Sequence, residues 1–157
     1  LMVQFVGVPF AVLFGKLAER IGAKTAVYLG LAVYCVISVL GFFMESALHF
    51  FALAALVGTV QGGTQALSRS LFASMIPRHK SGEFFGFFSV LVKAAGIFGP
   101  MLFTLFVSFT GSSRNAILAV AAFFVLGGGV LTLVDVEEGR RVAEAEEEKA
   151  RRAAEAG

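Results

Sequence analysis

Charge is scarce in this sequence: 15% of its 157 residues are charged and 57% are hydrophobic, whereas a soluble domain carries about a quarter charged residues. With a mean hydropathy of +0.84, the composition excludes water as the medium for most of the chain. No acid falls within the four longest apolar runs, so no carboxylate proton relay is built from them alone. Cys35 is the single cysteine and sits inside an apolar run, which excludes an internal disulfide. Both histidines, His49 and His79, lie at the edges of apolar runs, and no acid, histidine and serine converge at one depth. An enzyme is therefore not expected; no catalytic residue, metal ligand or cofactor site is assigned. The formal net charge is +2, but the bases stand in short blocks beside apolar runs and form no basic face. Nucleic acid is thus not an expected partner. Neither a basic leader nor a small-residue cleavage site opens the sequence, so it is expected to begin within a longer protein.

What is abundant is long greasy sequence. A helix needs about 20 apolar residues to cross a hydrocarbon core of about 30 Å, because each residue advances it about 1.5 Å. Four stretches reach that length, at residues 25–44, 49–68, 84–110 and 115–134. A fifth, 1–15, is apolar but short; it reads as a spanning helix with its outer end cut away, or as a re-entrant or interfacial piece. Residues 1–134 therefore form the expected transmembrane bundle, with the lipid bilayer as partner, and 135–157 a charged tail. Basic residues gather in alternate connections: Lys16, Arg20 and Lys24; Arg69, Arg78 and Lys80; then Arg140, Arg141, Lys149, Arg151 and Arg152. The two intervening connections hold Arg114 alone. That imbalance predicts a cytoplasmic C-terminus. The tail shows no apolar face, so a solvated, partly helical or disordered segment is expected there.

Polar side chains at membrane depth carry information, because lipid offers them no partner. Lys93 lies roughly 13 Å above the start of its run, given the rise of about 1.5 Å per residue, and should face protein or a water-filled cavity. A structural contact and a ligand contact are equally open to it. Gln61, Gln65 and Ser68, with Thr64 beside them, share a helical face by their spacing. Gly58 and Gly62 next to them form a small-xxx-small pair that allows close helix approach. If the two helices are neighbours, the amides and the ammonium line one wall. Ser89, Lys93, Gly96 and Pro100 recur at helical spacing, and Gly96, Gly99 and Pro100 predict a bend, since Pro100 cannot donate to the Gly96 carbonyl. Runs 25–44 and 115–134 are nearly devoid of polar groups and should face lipid.

The segment from Gly15 through Glu19, Arg20, Gly22 and Lys24 resembles the cytoplasmic loop signature of the major facilitator superfamily, with glutamate where that signature usually has aspartate. Ile76, Pro77, Gly82, Gly86, Gly96, Gly99 and Pro100 are similar to the superfamily's passage from a cytoplasmic loop into a glycine-proline helix. More narrowly, the run from Gln61 through Gln65 and Arg69 to Ser70, followed by Glu83 to Gly86, resembles the Atg22-like (UMF1) branch. The resemblance implies an all-α membrane protein, the C-terminal half of a major facilitator fold. It would comprise four complete transmembrane helices, one truncated helix and a charged cytoplasmic tail, numbered eight to twelve of a twelve-helix transporter. Helices eight, ten and eleven would line the cavity, with nine and twelve outside.

The function so implied is secondary active transport of a small solute by alternating access, in a multi-pass protein of the plasma (inner) membrane. The partner would be the N-terminal half of the same transporter. Fungal members of the branch are associated with amino-acid export from vacuoles, so an amino acid or related metabolite is the implied substrate. Gln61, Gln65, Lys93 and Ser89 would line the cavity. Gly15, Glu19, Arg20, Gly22, Lys24 and Arg69 would form a cytoplasmic gating motif, and Gly96, Gly99 and Pro100 a hinge. The competing reading is a non-transporting membrane scaffold.

Overall fold

The computed structural model describes residues 2–155; Leu1 and the last two residues of the tail lie outside that range. Six α-helices follow in order: α1 Met2–Ile21, α2 Ala23–Phe42, α3 Ala47–Ala73, α4 Ser81–Thr110, α5 Ser113–Thr132 and α6 Val136–Glu155. A short 3-10 turn, Arg78–Lys80, precedes α4. No strand occurs among the described residues, in keeping with the all-α class. Four helices, α2 to α5, are long and apolar enough to cross a membrane.

The junctions follow local chemistry. Lys16, Leu17, Ala18 and Glu19 favour helix, so α1 runs on through the segment expected as a loop and stops at Gly22. Gly22 has φ 87°, a conformation that penalises any side chain, and α2 starts at the next residue. At the opposite end, Ser46 Oγ caps α3 by accepting from the His49 N–H at 3.3 Å. Gly111, at φ 64°, closes α4, its N–H donating to Val107 O at 2.8 Å. Within α4, helix continues unbroken through Pro100.

Helix α3 packs against α1 and α2, α2 against α5, and α5 against α4. The core is small: Phe14, Ala26, Val27, Ile37, Val60 and Leu67. Glycine sets the closest seam, as the sequence spacing suggested. A Cβ on Gly62 would stand 2.9 Å from Gly7 O, and one on Gly58 the same distance from Val3 O, so α1 and α3 touch backbone to backbone. In lipid, where apolar burial drives little, such contact supplies van der Waals energy. Helix α2, expected at the lipid face, instead holds buried Ala26, Val27, Gly30, Ile37 and Ser38. A helix without polar groups suits a central position as well as an outer one, and composition does not separate the two.

The basic connections do fall at one end. Lys24 Nζ donates to Val134 O at 2.6 Å, joining the start of α2 to the end of α5. Arg140 Nε donates to Ser74 Oγ at 3.2 Å, joining α6 to the segment after α3. At the other end Arg114 Nη2 reaches Met44 O at 3.4 Å. The tail is not a free strand of charge: α6 lies on segment 74–80 with Ala143 buried at 6% exposure.

Candidate functional site

An open groove of about 850 Å³ runs between α3 and α4. The α3 wall presents Gln61, Thr64, Gln65, Ser68 and Arg69; Phe88 and Val92 form the α4 wall, and Leu31, Tyr34 and Phe124 the floor. Tyr34 and Phe124 stack with centroids 5.0 Å apart. At the basic end the two walls meet through aromatic rings, Phe72 lying 4.8 Å from Phe88 and 5.7 Å from Phe85 between centroids.

Spacings of four and three along α3 put the amides, hydroxyls and guanidinium on one strip beside the glycine seam, with Gln61 and Gln65 at its α1 edge, where they also border Gly7 and Ala11. Gln61 is half-buried, and Gln65 and Arg69 are exposed. None of the three has a hydrogen bond or ion pair among the described residues. Thr64 Oγ1 is itself buried and unpartnered among them. Thr64 packs directly over Gly30 of α2, so a side chain at residue 30 would collide with its hydroxyl. The wall therefore offers amide donors and acceptors, hydroxyls and one cation, and no carboxylate. It can hydrogen-bond a polar solute and attract an anionic group.

Ser89 and Lys93 do not line this groove; they stand one step around α4 from Phe88 and Val92. Lys93 is exposed and unpaired among the described residues. Gly82, Gly86 and Gly96 occupy the same side, and a Cβ on any of them would meet nothing within 4 Å. Gly99 and Pro100 border a second, apolar groove of about 940 Å³ between α4 and α5. Helix α4 packs against α5, and that contact orients it. Since α4 is apolar nearly all round, its sequence does not show which side would take that contact. Phe88 and Val92 were missed for that reason, and Tyr34 and Phe124 because α2 and α5 read as lipid-facing.

The loop-signature residues divide. Gly15 stands open, Glu19 and Arg20 are exposed without ion-pair partners among the described residues, and Gly22 makes the α1–α2 break. Lys24 is engaged: besides Val134 O it contacts Thr132 O at 3.4 Å, placing a cation on the terminal carbonyls of α5. Arg69 belongs to the groove. Among the described residues no group of three or more histidine, cysteine, aspartate or glutamate side chains could hold a metal ion.

A family model described as "Vacuole effluxer Atg22 like" matches residues 1–144. The uncharacterized MFS-type transporter YxiO of Bacillus subtilis is 43% identical over 141 residues, covering 90% of this chain and 33% of that protein. Autophagy-related protein 22 of Yarrowia lipolytica is 33% identical over 111 residues, 68% of this chain and 19% of the relative. The Saccharomyces cerevisiae protein of that name is 35% identical over the same length, 21% of it. The chain thus spans about a third of the bacterial relative and about a fifth of the fungal ones. No solved structure matches it.

Proposed function

The chain belongs to the Atg22-like family of the major facilitator superfamily, as part of a multi-pass integral membrane protein, and from that premise we propose that its α3–α4 groove is one wall of a solute pathway. In this reading α1 to α5 are helices eight to twelve of a secondary transporter working by alternating access. A second, upstream half supplies the facing wall. The observation that carries it is the groove itself, in which Gln61, Gln65 and Arg69 have no internal hydrogen-bond partner among the described residues. Lipid would leave such groups unsatisfied at a cost of several kcal/mol each, whereas a hydrated path or a polar solute satisfies them.

The solute so favoured is small and polar, with hydrogen-bonding groups for the amides and an anionic group for Arg69; an amino acid fits. Lys93 and Ser89 face the upstream half on the far side of α4. There the ammonium meets an acid or a solute carboxylate, and Gly96, Gly99 and Pro100 allow α4 to flex as the halves rock. The basic end faces the cytoplasm, which the charge imbalance supports, and the membrane is the plasma (inner) membrane.

The test is cysteine labelling of the full-length protein. Single cysteines at 61 and 65 should react with a water-soluble maleimide, whereas cysteines at Val39 and Val125, 47% and 65% exposed on outer faces, should not. Inert sites at 61 and 65 would favour the scaffold reading. In vesicles, Q61A and Q65A should each slow uptake or efflux of a substrate amino acid about tenfold, the loss of about one good hydrogen bond to a polar ligand. Unchanged rates in K93A and K93Q would remove Lys93 from the mechanism.

A further inference from the structure

The first three turns of helix α6 are fastened to two parts of the bundle that flank the groove. Its start is held where Lys24 grips the Val134 carbonyl, and Asp135 Oδ1 caps it by accepting from the Glu138 N–H at 3.0 Å. Its middle rests on segment 74–80 through a glycine: a Cβ on Gly139 would lie 3.0 Å from Met75 Cγ and 3.2 Å from Met75 Cβ. Ala143 is buried one helical repeat further on, and Ile76 and Pro77 are buried within the segment itself. One further turn on, Glu147 Oε1 accepts from the Arg78 N–H at 2.7 Å, capping the turn that leads into α4.

Segment 74–80 is the sole covalent link between α3 and α4, and thus between the groove's two walls. We propose that α6 is a strap that fixes how far apart α3 and α4 stand at the basic end, and so controls access to the groove from that side. Docked, it ties the α3–α4 link to the end of α5. Released, it leaves the walls joined there only by that link and the Phe72, Phe85 and Phe88 rings. The attachment is built for release, since it consists of a glycine contact, one small buried side chain and exposed polar bonds, each weak on its own. The proposal rests on the reading of the groove as a solute wall.

The experiment uses the full-length protein with its other cysteines replaced and Q65C as reporter. One variant adds M75C and G139C, whose Cβ atoms fall close to the range of about 3.5–4.5 Å that a disulfide requires; another ends after Asp135. Modification of residue 65 by a membrane-impermeant maleimide from the basic side is followed by site-resolved mass spectrometry. With the disulfide formed, residue 65 should react about tenfold more slowly than in the truncated variant, the shift of an opening equilibrium by a factor of about ten. Reduction should restore the rate in the same protein. Equal rates in locked, reduced and truncated forms overturn the strap while leaving the groove reading intact. Failure of the 75–139 disulfide to form overturns the docked position. If residue 65 is inert in every form, the groove reading itself falls, and the strap's role with it.

Discussion

Gly58 and Gly62 show what one hydrogen atom in place of a methyl group does for this bundle. Both sit where the α3 backbone meets α1 carbonyls at 2.9 Å from a would-be Cβ, and neither helix can yield without losing the rest of the seam. Gly62→Val should therefore cost about 1–3 kcal/mol by overpacking, seen as earlier thermal aggregation of the detergent-solubilised protein. Gly82→Ala, where nothing lies within 4 Å, should leave the isolated chain unchanged. Lys24→Met should remove a cation from the α5 terminus and lower stability by about 0.3–1 kcal/mol, with Lys24→Arg retaining part of it. The glycine pair and the Gln61–Gln65 strip were readable from spacing alone, because period and residue size fix both. Lys24's partner was not, since the Val134 carbonyl lies 110 residues away and a backbone oxygen leaves no mark in a sequence.

Among the helices, α6 departs most from what its residues suggested. The side it lays on segment 74–80 holds half-buried Gly139 and buried Ala143, members of a stripe of small residues at helical spacing that the density of charge around it hides. Its internal pairs are surface ones: Lys149 with Glu146 at 2.8 Å, Arg152 with Glu148 at 2.9 Å, and Arg141 with Glu138. The Glu146 carboxyl is held below the ordinary carboxylate range chiefly by the hydrogen bond from Lys149, then by that ammonium's charge and, more distantly, by Lys80 and His79. The Lys149 ammonium is raised in turn by Glu146. A lowered carboxyl stabilises above its ordinary pKa and ceases to as pH falls through the lowered value; a raised ammonium stabilises below its ordinary pKa and ceases to as pH rises through the raised one. Circular dichroism of a peptide covering Val136–Glu155 should accordingly show a helicity plateau near neutrality that declines toward both extremes and flattens in salt. Loss of the plateau in K149A with no change in E144A would tie it to this pair. By contrast α2 to α5 were legible as elements, because length and apolar content suffice to define a spanning helix. Which of them is central was not, because α2 and α5 are alike in composition and only packing distinguishes them.

At the scale of the molecule, the proposal of a second half is supported by the apolar groove of about 940 Å³ between α4 and α5, by Lys93, unpaired among the described residues, and by the relatives' greater length. On the two-half reading proposed above, the 157-residue chain reconstituted alone should insert as helices yet carry no amino-acid flux, while the full-length protein should. Measurable flux from the short chain would end the two-half reading. Without detergent the short chain should aggregate, since Phe5, Phe87 and Ile97 are more than half exposed and water offers such surface no compensation. One last consequence attaches to Gly22. Because it alone separates α1 from α2, at a backbone angle that side chains rarely adopt, any side chain at residue 22 would reset the corner between the two helices. With α1 seamed to α3 through Gly58 and Gly62, a change of heading there would be felt in the polar wall, as a bent hinge pin shifts the door it carries.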